Sequence, residues 1–261
     1  MKIQALLFDC DGVLAETERD GHRLAYNAAM RELGIKADWS QEEYAMLLRT
    51  SGGKERLKYY FDADPSRFPP LKYNGDLIQE IYLKKTGIFK TMVNNNALPS
   101  RPGVARMIRE AHENALLLFV CSTSHRESVE TLLCRNYGKE LFAWFTKLYC
   151  ADAVAKKKPA SDIYLLAKDE FGLDANRCFV IEDSRNGLLA ARGAGMHCLI
   201  TQSFYTVNED FSGADIVTSC LGDPNGEQAL ILKSSRPIPQ RGYITVADLD
   251  SLLQDYPAVA S

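Results

Sequence analysis

The sequence predicts an α/β protein: a three-layer, Rossmann-like core around a parallel sheet of about six strands, with a helical cap domain inserted after the first strand. Three observations predict it. The chain opens on an apolar run, Ile3 to Phe8, which reads as a strand buried on both faces. About eighty residues of helical patterning follow, too long for a simple βα connection. From Leu98 onward, apolar strand-like runs alternate with amphipathic segments. The chain therefore divides into a core, residues 1–15 and 98–261, and a cap, residues 16–97.

In the cap, Asp20 to Leu33 predicts a helix with Leu24, Ala28, Ala29 and Leu33 on its apolar stripe, ending at Gly34. Ser40-Gln-Glu-Glu43 has the form of a capping box, so a second helix starts there and runs to about Leu48. Thr50 to Arg56 is a glycine loop, followed by a short helix to Phe61. The prolines between Asp62 and Pro70 mark a loop, and Leu77, Ile78, Ile81 and Tyr82 mark a helix reaching past Phe89. In the core, Pro102 suits a helix start, with Val104 to Asn114 as the helix. The remaining strands are Ala115–Cys121, Phe145–Cys150, Cys178–Ile181, His197–Ile200 and Ala214–Val217. Helices are expected at Glu127–Asn136, Asp162–Phe171, after Ser184 to about Ala194, and at Thr245–Leu253 with Thr245 as N-cap.

Composition bounds the function. The chain is 46% apolar and 25% charged, ordinary for a soluble domain. A net charge of -3 gives no global attraction to nucleic acid or anionic membrane, and no apolar run is long enough for a span. Seven cysteines without CxxC spacing point to a reducing compartment. A cytoplasmic monomer acting on a small molecule is the expectation, with the plastid stroma as the alternative if a transit peptide has been removed.

The polar residues that close each buried run carry the chemistry. Asp9 and Asp11 follow the first strand, and Gly12 lets the chain turn. Open α/β sheets place ligands beyond the carboxyl ends of their strands. Two carboxylates this close both stay ionised when a cation lies between them, and an oxygen donor set suggests Mg2+. Cys10, between them, reads as a filler whose main-chain N–H matters more than its sulfur. The second strand ends in Ser122, a hydroxyl that either donates to a phosphoryl oxygen or caps the next helix; Thr123 and Ser124 extend this polar loop. The loop after the third strand brings Lys158, held by Pro159, as a cation for transferring charge. The fourth delivers Glu182 and Asp183, further oxygen ligands, with Glu182 either binding the metal or supporting it. Specificity candidates are Glu16, Thr17 and His22 in the first cap segment and Gly53, Lys54 and Arg56 in the glycine loop. Lys54 and Arg56 flank Glu55, so one of them faces substrate while the other faces water. A Gly-Gly loop with two cations suits a second phosphate. Arg101 stands where it can reach inward from the cap hinge, and His125 lies near the Ser122 loop.

Asp9-Cys-Asp-Gly-Val-Leu14 resembles the DxDGxL opening motif of the haloacid-dehalogenase-like phosphohydrolases. The order Asp pair, Ser122, Lys158, acidic pair resembles all four motifs of that family. The resemblance implies that Asp9 attacks phosphorus and that Asp11 is the general acid and base. It implies that Ser122 and Lys158 hold the equatorial oxygens, Lys158 being preferred to Lys156 and Lys157 because it precedes Pro159 as in the family motif. Magnesium would be held by Asp9, Asp11 (through its main-chain carbonyl), Glu182 and Asp183. Glu16 to Arg23, Gly52 to Arg56, Arg101 to Val104, Val120 to Ser124, Glu182 to Ser184 and Ser219 to Pro224 look like the CbbY-type branch. His125, where that branch leads one to expect Asn, and Arg185-Asn186, in place of smaller residues, depart from it.

The implied activity is a magnesium-dependent sugar-phosphate phosphatase working through an aspartyl phosphate, with xylulose-1,5-bisphosphate as the implied substrate. A β-phosphoglucomutase-like mutase shares this core and returns the phosphate to a second hydroxyl. A haloalkanoate dehalogenase needs neither metal nor Asp11. A non-catalytic sugar-phosphate-binding protein would not need the nucleophile.

Overall fold

The apolar opening run forms β1 (Ala5–Phe8), with every residue buried, as an interior strand, third in a seven-stranded sheet. The computed structural model describes residues 2–66, 74–95 and 98–253. The other strands are β2 (Leu117–Cys121), β3 (Lys147–Tyr149), β4 (Cys178–Glu182), β5 (His197–Thr201), β6 (Ile216–Thr218) and β7 (Ile231–Ser234). Their order is β3-β2-β1-β4-β5-β6-β7; the first six run parallel, and β7 is antiparallel to β6. The sequence reading missed β7. Its residues are half-buried or exposed, so no buried run marks it.

Successive strand residues point to opposite faces, and this alternation sorts the core into two clusters. Leu6, Phe8, Val120 and Ile181 pack on one face with α5 (Val104–Glu113), α6 (Arg126–Ala143) and α9 (Val246–Leu252). Ala5, Leu7, Cys121 and Val180 pack on the other with α7 (Asp162–Phe171) and α8 (Arg185–Gly193). The result is the three-layer architecture. The segment expected at Glu127–Asn136 is the first part of α6, which continues past a non-helical Gly138. Thr245 caps α9 in a reciprocal capping box with Asp248.

Between β1 and α5, among the described residues, lie four α-helices with a core of their own: α1 (Arg23–Glu32), α2 (Gln41–Leu47), α3 (Gly53–Ala63) and α4 (Gly75–Asn94). Tyr26, Met30, Trp39, Tyr44, Leu57, Phe61 and Ile81 pack together there. Ser40 caps α2 by accepting from the Glu43 N–H at 3.1 Å. The expected stripe on the first cap helix is displaced: Leu24 is exposed, and Ala25, Tyr26, Ala29 and Met30 are buried. One π-helical turn, Glu18–His22, precedes α1. The part of the expected Asp62–Pro70 loop at 67–70, and the end of the expected cap at Ala97, lie outside the described residues. The seven cysteines are free thiols, and among the described residues no helix is long and apolar enough to cross a membrane.

The strand order positions the site. From β1 the chain builds outward through β2 and β3, then returns to place β4 on the other side of β1. That reversal opens a crevice beyond the carboxyl ends of β1 and β4. The two chain passages at the cap hinge adjoin each other: Ala15 bridges Ser100, and the Arg101 N–H donates to the Leu14 carbonyl at 2.9 Å.

Candidate active site

Register brings the carboxylates together. Phe8 pairs with Ile181, and the Asp9 N–H donates to the Ile181 carbonyl at 2.9 Å, so Asp9 leaves β1 beside Glu182 at the end of β4. Gly12 turns the chain with φ of +82°; a Cβ there would lie 2.1 Å from Asp183 Oδ2. Lys158 Nζ donates to Asp9 Oδ1 at 2.6 Å, to Glu182 Oε1 at 2.5 Å and to the Cys121 carbonyl at 2.8 Å. Tyr164 donates to Glu182 Oε1 at 2.8 Å, and Glu182 Oε2 accepts from the Asp183 N–H at 3.1 Å.

Asp9, Glu182 and Asp183 are all buried, with carboxylate oxygens within 4.8 Å of one another. Burial pushes Asp9 and Asp183 well above the usual carboxylate range; Lys158 pulls Asp9 back, while neighbouring carboxylates add to both rises. One ammonium does not balance three buried carboxylates. The donor set fits a divalent, oxygen-preferring cation. Burial works against the charge on Lys158, but Asp9 and Glu182 outweigh it and raise its pKa above the usual lysine value.

The structure does not bring the Asp11 side chain into this group. Its carboxylate turns toward the cap and accepts from Thr17 Oγ1 at 2.5 Å and Ser124 Oγ at 2.5 Å; His22 Nε2 lies 2.8 Å away. Burial pushes its pKa up, but the His22 charge and the bonds from His22, Ser124 and Thr17 outweigh that and hold it below the usual carboxylate range. His22 is fixed by stacking on Phe89, with ring centroids 4.0 Å apart. Ser122 is fully buried, and its Oγ accepts from the Ser124 N–H at 3.0 Å. The N-cap of α6 is His125, so Ser122 does not take the alternative helix-capping role.

Two spaces meet around Asp11. A cleft runs over Asp9, Lys158 and Asp183 and is bordered on the cap side by Leu48, Ser51 and Arg56. A smaller chamber lies deeper in the cap, lined by His22, Tyr26, Gly53, Arg56, Tyr82 and Lys85. Arg56 is buried, lies 3.8 Å from Glu18, donates to the Tyr44 hydroxyl at 2.9 Å, and leaves Nε without a partner. Thr123 borders both spaces. Lys54 does not join Arg56: it lies over Tyr82, 5.3 Å from the ring centroid, beside a separate hollow shared with Asp152 and Lys157. Glu16 borders neither space. It pairs with Arg101 at 3.1 Å, and Arg101 also donates to the Gln202 and Ser219 carbonyls, tying the hinge to the core. His125 packs edge-on to Tyr82 and borders neither space.

The sequence reading did not single out Lys85. The signal was there: Lys85 falls three and four residues after Tyr82 and Ile81, on the apolar face of α4. Its ammonium lies over Tyr26, 4.8 Å from the ring centroid, and burial pulls its pKa down to about 8. Below pH 8 both folded and unfolded chains hold this proton, so the burial penalty applies in full. Between about pH 8 and the usual lysine value of 10.5 the unfolded chain binds more protons, so this contribution rises with pH. Lys85→Met should therefore stabilise the ligand-free protein at pH 7 by up to about 3 kcal/mol, the gain fading above pH 8. Urea unfolding at pH 7 and pH 10 measures this; a gain independent of pH contradicts the assignment.

A buried carboxylate group with one lysine at the switch point of a parallel sheet, under a helical cap, defines a hydrolase core built for phosphoryl transfer. The chain belongs to the haloacid dehalogenase-like hydrolases, whose family model matches residues 3–195. It is similar to a CbbY-like protein of Arabidopsis thaliana, 41% identical over 86% of this chain and 71% of that one. It is similar to protein CbbY of Cereibacter sphaeroides, 38% identical over 88% of this chain and 97% of its relative. A crystal structure of a CbbY variant from Rhodobacter sphaeroides, in complex with xylulose-(1,5)bisphosphate, superposes with a TM-score of 0.79. The two are 38% identical over 86% of this chain and 97% of that one. The chain is thus a CbbY-like phosphatase of this family.

Proposed function

We propose that this phosphatase is magnesium-dependent and hydrolyses a sugar bisphosphate, xylulose-1,5-bisphosphate, through an aspartyl phosphate on Asp9. The core is residues 1–15 and 98–261, and the specificity cap is residues 16–97. The observation that carries the reading is the pairing of two cationic places across Asp11: Lys158 at the carboxylate group, and Arg56 with Lys85 in the cap chamber. A substrate with a phosphate at each end matches both. The Rhodobacter sphaeroides relative solved with the same bisphosphate supports it.

In the first half-reaction an Asp9 carboxylate oxygen attacks phosphorus in line, the bond to the sugar oxygen breaks, and Asp11 gives that oxygen a proton. A phosphate dianion arriving beside Asp11 favours the protonated acid. In the second, water attacks the same phosphorus, the bond to Asp9 breaks, and Asp11 takes the proton from water. Lys158, Ser122 and the main-chain N–H groups of Cys10 and Asp11 hold the equatorial oxygens. Asp9, Asp183, Glu182 and the Asp11 carbonyl would hold magnesium, which supplies the positive charge that lets one anion approach another. Thr17, His22 and Ser124 orient Asp11, and the cap excludes bulk water and selects the leaving group.

Arg56→Ala tests the second phosphate. KM for xylulose-1,5-bisphosphate should rise about 30-fold or more, the loss of a charged contact, while a sugar monophosphate changes by about threefold at most. Equal effects on both would place Arg56 outside the distal phosphate site.

A further inference from the structure

Asn186 reaches across the cleft from core to cap. It stands in the first turn of α8, three residues after Asp183, and its Nδ2 lies 3.1 Å from the Arg49 carbonyl and 3.2 Å from Ser51 Oγ. Arg49 lies in the turn just past Leu48, the C-cap of α2, and the amide donates to its carbonyl. The next residues are gripped as well. Gly52 has φ of +91°, and a Cβ there would lie 2.2 Å from Glu55 Oε2 and 3.3 Å from Cγ of the core residue Lys157. The chain then passes into Gly53 and Arg56, which line the inner chamber.

The core end of this link is rigid. Ser184 Oγ accepts from the Gly187 N–H at 3.1 Å and donates to Glu182 Oε2 at 3.3 Å, while the Arg185 N–H donates to Glu209 Oε2 at 2.5 Å. One side-chain amide therefore joins the segment that carries Glu182 and Asp183 to the loop that leads into α3 and Arg56.

We propose that Asn186 is a positioning residue: its amide fastens the 49–51 loop to α8 and fixes the distance between the cap chamber and Asp9. Asn186 borders the outer cleft, but its amide donates to Arg49 and Ser51 and not to Asp9, Asp11 or Lys158. A substrate that spans both places depends on it, and an ester too small to reach the chamber does not. The inference rests on the two-place reading of the site and not on which sugar joins the phosphates.

The test compares kcat and KM for the sugar phosphate that the parent enzyme hydrolyses fastest with those for p-nitrophenyl phosphate. Asn186→Ala should lower kcat/KM for the sugar phosphate about tenfold, the effect of two hydrogen bonds, with p-nitrophenyl phosphate changed about twofold or less. Asn186→Asp keeps the shape but removes the donor, and should lose at least as much. Ser51→Ala, made on the cap side where the α8 turn is untouched, should lose part of this and add little in the Asn186→Ala background. Equal losses on both substrates, or none on the sugar phosphate in either the Asn186 or the Ser51 variant, would overturn the proposal. A parent enzyme that hydrolyses no sugar phosphate faster than the aryl ester overturns the two-place reading instead, before any variant is made.

Discussion

Asp9→Asn should abolish phosphate release, by roughly 10⁴-fold or more, and leave the chain folded. An amide is a poor nucleophile, yet its oxygen still accepts from Lys158, which lies 2.6 Å from Asp9 Oδ1. Stability should move the other way. Asp9, Glu182 and Asp183 crowd within 4.8 Å with one ammonium among them, and removing one negative charge relieves that repulsion. In EDTA the variant should melt at the same temperature as the parent or higher. Phosphate release and thermal unfolding on one preparation check both halves. Activity near that of the parent would remove Asp9 as nucleophile.

Lys158→Met comes second and acts on stability and turnover together. Lys158 is buried and holds Asp9, Glu182 and the Cys121 carbonyl at once. Its loss leaves three buried carboxylates with no cation, an effect on the order of 3–5 kcal/mol in the chelated protein. Turnover should fall by about 10³-fold, because a fixed positive charge facing the phosphoryl oxygens is gone. Millimolar Mg2+ should restore part of the lost stability and little of the activity, since a cation balances the carboxylates without replacing the lysine's contact to phosphate. A melting temperature unchanged in EDTA would contradict the charge balance drawn here.

The strands that position the site were legible because a strand buried on both faces is an apolar run, and its polar end is visible in one dimension. Asp9, Ser122 and Glu182 stand directly at such ends, and Lys158 precedes a proline. Side-chain direction was not legible. Glu16 lies five residues beyond Asp11, yet it turns to Arg101 at the hinge. Lys54 and Arg56 are two residues apart on one helix, yet Arg56 is buried at the chamber while Lys54 is half-exposed beside a separate hollow. The phase of α1 was misread because Leu24 was placed on the apolar stripe, whereas the buried face is Ala25, Tyr26, Ala29 and Met30 and Leu24 is exposed. β7 was lost because an edge strand with half-exposed residues looks like a loop. Asn186 pairs with residues 135 and 137 positions away, which no local pattern encodes.

The most direct measurement is phosphate release, with and without Mg2+, across sugar mono- and bisphosphates including xylulose-1,5-bisphosphate. The account predicts release that stops on chelation, returns with Mg2+, and shows a kcat/KM for xylulose-1,5-bisphosphate far above that for any monophosphate. Isomerised sugar phosphate without net release of phosphate, or equal rates for mono- and bisphosphates, would contradict it.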